Sequence, residues 1–562
     1  MMLRAVFSNP SEYVRTQFSS DLFAGLTVAI MLIPQGMAYA LLAGLPPIYG
    51  LYAALVPLFI YPFIGSSPFL SVGPVALVSI IVLTGLSKMA EPMSVEFIHL
   101  AILTSMVAGI IQVLLSVFRM GFLVNFLSQP VISGFTSAAA LIIGVSQLKY
   151  LFGLTIPTTT RFLDTLRHLA NNISDLSWIE LAIGLVGLVV ILVLKKVNRS
   201  LPGALIAVVL GILVVKFAHL DEVGVDTVGF IPSGLPDFQM EFFSFAAVKQ
   251  VLPLALVICL ISFIESLAIA KTLAAKHEHY GIDANKELLG LGLAKLVGSF
   301  FQGFPNTGSF TRSAINEQAG AKTGISSLIA GLIIALTLLF FTSTFYHLPK
   351  AVLAAVVISA VFGLIDWKEA KFLFKADKRD FIVLVLTFSL TLLLGIQKGV
   401  LVGVILSLLF ILHKVSRPHH AVLGRIHEHD VYRNVERFKE AKEKDDLLIL
   451  RYDDDIFFGN AEHFFNTVMT ELKAKKGVKY LLLDFTAVGH IDSTGIRQFE
   501  LMVKSVESKG VEVHLCSVKG PLRDEFSTYQ TKNIIPESRI HWDIDNAIKD
   551  MDTLKNQTLK TV

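Results

Sequence analysis

The chain has 562 residues, 53% of them hydrophobic and 17% charged, with a formal net charge of +3. That length exceeds an ordinary single domain, and so apolar a composition excludes a disordered protein and speaks against a typical cytosolic enzyme. Two cysteines, Cys259 and Cys516, exclude a disulfide scaffold and a four-cysteine metal site.

Charge is unevenly spread. Residues 416–562 hold 22 Lys+Arg and 24 Asp+Glu, whereas the 415 residues before them hold 26 and 21. The first part therefore reads as embedded in a membrane and the last as lying in water. The expected division is an N-terminal segment (1–20), a membrane part (21–415), a linker (416–445), an α/β domain (446–556) and a tail (557–562). No cleavable signal peptide is expected, because Arg4, Glu12 and Arg15 interrupt the first 20 residues.

A helix crossing hydrocarbon needs about 20 mostly apolar residues. In chain order the clear candidates are Leu22–Leu42, Ile48–Ile64, Ile98–Val117, Ile132–Leu151, Ile179–Leu194, Ala204–Phe217, Leu252–Ala270, Ile325–Phe341, Ala351–Leu364, Phe381–Leu394 and Val400–Leu412. Three weaker stretches join them. Val72–Leu86 is short and opens on Gly73-Pro74, Leu288–Phe301 is short and carries Lys295, and Gly308–Gly320 is short and polar. Together they make 14 crossings or partial crossings.

Loop charges support that count. With a cytoplasmic N-terminus, the loops after even-numbered segments hold Arg119, Lys195, Lys196, Arg199, Lys271, Lys276, Lys322 and the run from Lys368 to Arg379. Lys414 and Arg417 precede the final domain on the same side. The loop from His219 to Glu241 carries Asp221, Glu222, Asp226, Asp237 and Glu241 and no Lys or Arg. This is the positive-inside bias; omitting one weak segment would invert it for every later loop. The expectation is a multi-pass protein of an inner or plasma membrane with both termini cytoplasmic.

The third and tenth segments, the two weakest, stand seven places apart, half of fourteen. Interrupted helices at matching positions of inverted repeats are a transporter signature and point to the binding site. Two poor helices packed inside a bundle would give the same spacing. Ser71-Val72-Gly73-Pro74-Val75-Ala76 leads into the third segment, and Phe304-Pro305-Asn306-Thr307-Gly308-Ser309-Phe310-Thr311-Arg312 into the tenth. Proline near a helix start lacks an N–H that would be unpaired anyway, and glycine admits close approach. A helix N-terminus offers unpaired N–H groups and about half a positive charge, so two such ends facing each other would hold an anion. Arg312 would add to that field. Arginine in a membrane span is costly and functional by default; the competing reading is an ion pair with Glu317 or Glu265.

In the first span, Pro34-Gln35-Gly36-Met37-Ala38-Tyr39 is expected to break helix regularity in mid-membrane. Gln35 and Tyr39 lie four apart on one face, to donate hydrogen bonds to the anion or to glue helices together. Glu265, in the eighth span, must be paired, hydrated or protonated. It reads either as the carrier of a coupling cation, a proton before sodium, or as a fixed counter-ion of Arg312. Lys295 is expected to snorkel and receives no role. His277-Glu278-His279 and His427-Glu428-His429 sit in polar loops and resemble metal ligands only superficially. Gly290-Leu291-Gly292 follows no strand and reads as packing. No nucleophile–base pair, Walker motif or ATPase domain stands out, so no enzyme activity, metal or cofactor is expected.

In the final domain, strands Leu447–Tyr452, Tyr480–Phe485 and Val511–Ser517 alternate with helices Ala461–Lys475, Gly495–Ser508 and Ile544–Met551. Between strand and helix, Gly489-His490-Ile491-Asp492-Ser493-Thr494-Gly495 places hydroxyls at a helix N-terminus, as a cap or as a phosphate acceptor.

The run Ile33-Pro34-Gln35-Gly36-Met37-Ala38-Tyr39-Ala40, followed by Gly44-Leu45-Pro46-Pro47-Ile48-Tyr49-Gly50-Leu51-Tyr52, resembles the sulfate-permease (SulP) family of anion transporters. Gly65-Ser66-Ser67, Ser71-Val72-Gly73-Pro74, the stretch around Glu265, Asn285-Lys286-Glu287-Leu288 and Arg312-Ser313-Ala314-Ile315-Asn316 are similar to the same family. Ile491-Asp492-Ser493-Thr494-Gly495 resembles a STAS domain. The resemblance spans nearly the whole chain. It implies an α-helical polytopic fold of 14 segments in a 7+7 inverted repeat, with core and gate domains and a cytoplasmic α/β STAS domain. It also implies elevator-like motion and a homodimer. The anion-binding residues it implies are Gln35, Tyr39, Val75, Ala76, Phe310, Thr311 and Arg312, with Glu265 as the coupling residue. Members with aspartate there can use sodium, so glutamate favours a proton. One departure is Pro68, where many members carry arginine. Thr494 matches the position phosphorylated in stand-alone STAS proteins.

The expected function is secondary active transport, by proton symport, of a small anion such as sulfate, bicarbonate, chloride or a dicarboxylate. The STAS domain would regulate the transporter, support the dimer or bind cytoplasmic proteins; no nucleic acid is involved. A nucleobase permease of the same fold and an uncoupled anion channel or exchanger are the alternatives.

Overall fold

The structure, a computed structural model, describes residues 10–122, 128–156, 162–197, 202–240, 244–277, 281–429, 431–529 and 534–558. Arg4, Arg199, Glu241, Glu278 and His279, named above, lie outside the described residues. Two compact units form, Met1–Ser407 and Leu408–Val562.

Apolar runs between residues 18 and 416 fold as helices, the last of them crossing the boundary between the units, because lipid leaves backbone groups no other partner. They are α1 (Phe18–Leu42), α2 (Ile48–Ile64), α3 (Ala76–Leu86), α4 (Val95–Val117), α5 (Gln129–Leu151), α6 (Trp178–Val197), α7 (Gly203–Ala218), α8 (Phe245–Ala274), α9 (Ala284–Phe300), α10 (Phe310–Gln318), α11 (Ile325–Leu336), α12 (Lys350–Val361), α13 (Lys378–Leu394) and α14 (Ile396–Ser416). Each corresponds to one of the fourteen segments expected from the sequence. The shortest are α3, with 11 residues, and α10, with 9. At about 1.5 Å per residue, neither spans the roughly 30 Å of hydrocarbon.

Seven helices precede α8, and an odd number of crossings turns the second half upside down relative to the first. Further features obey the same offset of seven. Strand β1 (Val72–Gly73) leads into α3, and β2 (Thr307–Gly308) leads into α10. Amphipathic helices Phe162–Asn171 and Trp367–Ala376 follow α5 and α12. Helices α1–α4 pack with α8–α11, and α5–α7 pack with α12 and α13.

Sequence and structure differ at Pro34. Helix α1 runs unbroken through it: the ring removes one backbone hydrogen bond, and packing of α1 against α2 and α11 holds the helix together. The glycine beside it has a different purpose. A Cβ on Gly50 would collide with the Gly36 carbonyl oxygen, so α1 and α2 cross with their backbones in contact.

In the second unit a six-stranded sheet runs in the order β4-β3-β5-β6-β7-β8. Its strands are β3 (His420–Ile426), β4 (Val431–Asn434), β5 (Leu447–Tyr452), β6 (Tyr480–Asp484), β7 (Glu512–Cys516) and β8 (Ile540–His541). Strand β3 is antiparallel to β4 and β5, and β5 to β8 are parallel. Helices α15 (Ala461–Ala474), α16 (Ser493–Glu507), α17 (Gly520–Thr528) and α18 (Ile544–Thr558) complete the unit. Leu448, Leu450, Phe464, Leu481, Phe499 and Leu515 are buried in its core. Strands β3 and β4 lie within the stretch expected to be a linker.

Candidate functional site

The site starts from a ribbon of two residues per strand. β1 and β2 pair antiparallel, Val72 opposite Gly308 and Gly73 opposite Thr307. Further bonds tie the two lead-in segments together. The Ser309 N–H donates to the Ser71 carbonyl at 3.0 Å, the Ser71 N–H to Ser313 Oγ at 2.9 Å, and Asn316 Nδ2 to the Phe69 carbonyl at 3.1 Å. Helices α3 and α10 thus begin on either side of one ribbon, and the positive end of each dipole is turned toward it. Val75, the residue before α3, is extended and makes no side-chain cap. Ser309, before α10, accepts the Arg312 N–H at 3.5 Å.

Arg312 is fully buried. Its Nη1 donates to the Pro74 carbonyl at 3.0 Å and to Gln35 Oε1 at 3.4 Å. Among the described residues Nε and Nη2 have no partner. Nη2 lies against the ribbon, where a Cβ on Gly73 would stand 3.3 Å away. Tyr39 and Glu265 are close enough to exchange electrostatic influence with Arg312. Oε2 of Glu265 is buried and has no partner among the described residues.

Glu317 is not the counter-ion of Arg312; it pairs with Lys276 and His277, each at 3.2 Å. Among the described residues no carboxylate lies in salt-bridge range of Arg312. Gln35, Tyr39, Val75 and Ala76 are buried around the ribbon, whereas Phe310, 54% exposed, and Thr311 are accessible in the first turn of α10.

Thr494 belongs to the second unit, exposed in the first turn of α16. The cap of that helix is Asp492, whose Oδ1 accepts the Gly495 N–H at 2.7 Å. A carboxylate one residue before the hydroxyls caps better because it is charged.

Lys295 does not snorkel. It sits in the middle of α9, fully buried, with Nζ donating to Gln112 Oε1 at 3.0 Å. Helix α9 packs between α2 and α4, so the side chain has no aqueous edge within reach.

Sequence reading also passed over the serines that deliver Glu265. Ser262 and Ser266 flank it on α8. The Ser262 carbonyl accepts Thr307 Oγ1 at 2.7 Å, Ser266 Oγ lies 2.7 Å from the same hydroxyl, and the Gly308 N–H donates to Ser266 Oγ at 2.8 Å. The signal was present as hydroxyls at i and i+4 around a carboxylate. Asn306 was missed as a buried group; neither polar atom of its side chain has a partner among the described residues.

Two half-helices starting from one ribbon, in opposed halves of a helical bundle, are the architecture of a membrane transporter. Residues 18–387 match the sulfate permease family, and residues 438–547 match the STAS domain. The chain belongs to the sulfate permease family. It is 39% identical over 543 residues to "Sulfate transporter 4.1, chloroplastic" of Arabidopsis thaliana, covering 93% of this chain and 78% of that protein. It is 33% identical over 560 residues to "High affinity sulfate transporter 2" of Stylosanthes hamata, covering 96% and 84%. Among solved structures, the murine Slc26a9 anion transporter in the inward-facing state superposes with a TM-score of 0.89 at 27% identity, over 97% of this chain and 93% of that one.

Proposed function

We propose that the protein is a secondary active transporter of a small anion, sulfate first, driven by a proton and working by elevator-type alternating access. One observation carries this reading: Arg312 is buried beside the ribbon with two nitrogens unpaired among the described residues, next to the N-termini of α3 and α10. An oxyanion there accepts hydrogen bonds from Nε, Nη2 and the free N–H groups of both first turns. Gln35 and Tyr39 flank it from α1; Val75, Ala76, Phe310 and Thr311 line the helix starts. Glu265 takes the proton, so that anion and proton enter together and their charges offset in the low-dielectric interior. The group α1–α4 with α8–α11 then slides against the other as a core against a gate.

The sulfate transporters named above support sulfate as the substrate, and Slc26a9, an anion transporter, supports the ligand's sign. The basic loops support a cytoplasmic location of both termini, in an inner or plasma membrane. We further assign the STAS domain to regulation and to support of a homodimer, with Thr494 as an accessible phosphate acceptor.

The test is uptake by the purified protein in liposomes, offering sulfate, bicarbonate, chloride and succinate with and without an inward proton gradient. Sulfate uptake accelerated by the gradient and lost in Arg312→Ala is the expected result. An Arg312→Ala protein at the wild-type rate would falsify the site; uptake indifferent to the gradient would favour an uncoupled carrier or channel.

A further inference from the structure

The membrane unit buries a second basic side chain that this mechanism leaves unused. Lys295 of α9 is fully buried, and its Nζ donates to Gln112 Oε1 of α4 at 3.0 Å. The nitrogen of that amide is committed elsewhere: Gln112 Nε2 donates to the Cys259 carbonyl and to Ser262 Oγ, both on α8 and both at 2.9 Å. The amide is therefore fixed with its oxygen turned to Lys295. Among the described residues no carboxylate lies in salt-bridge range of Nζ. A neutral amide holds the amine in place and supplies no counter-charge, so a positive charge there calls for an arriving anion to balance it. Cations inside a membrane protein are costly, and they persist where they serve a ligand or pathway.

The same hydrogen-bond chain leads to the site. Ser262, held by Gln112, accepts Thr307 of β2 through its carbonyl, and Glu265 follows Ser262 by one helical turn. Lys295 thus lies one amide and one turn from Glu265, on the order of 10 Å. A unit positive charge about 10 Å from a bound anion in a protein interior favours a doubly charged anion over a singly charged one by roughly tenfold.

We infer that Lys295 is a specificity-determining residue: a buried amine that, protonated as the ligand arrives, matches the site with Arg312 to a doubly charged anion. The inference rests on the anion-transport reading above. The charges balance on that reading. Arg312 and Lys295 contribute two positive charges, and Glu265 cancels one until it takes a proton. A dianion arriving with one proton then leaves the buried set neutral, whereas a monoanion leaves one positive charge uncompensated.

The experiment measures KM and kcat for sulfate and for nitrate in liposomes holding the full-length protein, at one pH, for wild type, Lys295→Met and Lys295→Arg. Lys295→Met is expected to raise the KM for sulfate about tenfold relative to that for nitrate. Lys295→Arg, which keeps a charge that cannot be lost, is expected to hold the wild-type ratio. Should Lys295→Met not fold, Lys295→Gln, which keeps the amide contact, is expected to shift the ratio in the same way. An equal loss for both anions in the neutral variants, an unchanged ratio, or a wild-type preference for nitrate each overturns the inference. Wild-type protein that carries neither anion overturns the transport reading itself.

Discussion

Buried charge is treated differently at the rims of the membrane unit and at its centre. Asp21, near the start of α1, accepts Tyr13 Oη at 2.9 Å, the N–H groups of Lys322 and Thr323 at 2.7 and 3.1 Å, and Thr323 Oγ1 at 2.5 Å. Glu287, in the first turn of α9, accepts Tyr61 Oη at 2.8 Å and both the N–H and Oγ of Ser66 at 2.7 Å. Both carboxylates are fully buried. They grip the segments next to the half-helices, the α2–β1 loop and the turn after α10. At the centre, Arg312 keeps two nitrogens and Glu265 one oxygen without a partner among the described residues. A buried charge whose capacity the protein fills is a brace. One whose capacity is left open is a place for something to arrive.

The largest expected effect tests the frame on which both kinds of charge depend. Gly50→Ala drives a methyl into the Gly36 carbonyl, and Gly36 adjoins Gln35. Since the obstacle is backbone, the helices must separate, at a cost of about 4 kcal/mol or more. Size-exclusion chromatography in detergent is expected to show aggregated or absent protein; a monodisperse, active variant would mean that the crossing is not what holds α1 in place.

The contrast itself is tested by a pair of substitutions. Arg312→Ala is expected to cut uptake about 100-fold, near 3 kcal/mol of lost charged hydrogen bonds, while the melting temperature barely moves. Glu287→Gln is expected to do the reverse, costing about 2 kcal/mol of stability and leaving transport per folded molecule within about threefold. If the two variants exchange these phenotypes, the division into braces and open charges fails.

His514, in the second unit, sharpens the rule by showing an open atom without access. Its Nδ1 lies 3.0 Å from His541 Nε2, whose ring in turn reaches Asp550 Oδ2 at 2.9 Å. Nε2 of His514 has no hydrogen-bond partner among the described residues; the Glu512 carboxylate stands 3.7 Å from it. Burial first, then the nearby His541 and Arg539 charges, hold this imidazole down to about 4, from an ordinary 6.5. The unfolded chain therefore takes up the proton before the folded one does. Stability is complete above about pH 6.5 and drains away as pH falls toward 4, by about 2 kcal/mol between pH 7 and 5. Melting curves of the full-length protein at those two pH values are expected to show that loss, and His514→Leu to reduce it. An identical pH slope in the variant would place the lability elsewhere.

Much of the architecture was legible, for physical reasons. Hydrocarbon thickness fixes span length, so apolar runs such as Ile98–Val117 announced themselves, and α3 and α10 stood out by being too short. Arg312, Glu265 and Gln35 were visible because polar groups in apolar runs need a reason. The β1–β2 ribbon was not visible, since two residues carry no periodicity and its strands are far apart in sequence. Nor was the burial of Lys295, because a lysine's length suggests escape to water and only packing shows that the exit is closed. Strand β4 was hidden by its four-residue length and by Arg433, which an edge position tolerates, and β3 by the charged stretch in which it lies. Small polar residues such as Asn306 and Ser313 look the same in the sequence whether they face solvent or a buried site.

The smallest expected effect concerns what is done with the open charge at Glu265. Glu265→Gln keeps the side chain's shape and mimics the protonated acid, so the anion still meets an uncharged group beside Arg312. If the carboxylate carries the coupling proton, anion-for-anion exchange persists in this variant while accumulation against a gradient does not. With the membrane potential clamped at zero, one proton per anion concentrates substrate about tenfold for each pH unit; the variant is expected to reach a ratio of one. A fixed counter-ion behaves otherwise. Its removal leaves Arg312 uncompensated, which tightens anion binding and lowers KM, but a proton gradient would still drive accumulation through whichever group does carry the proton. The steady-state accumulation ratio, rather than the rate, therefore decides whether the centre holds two open charges with separate tasks or an arginine with its counter-ion.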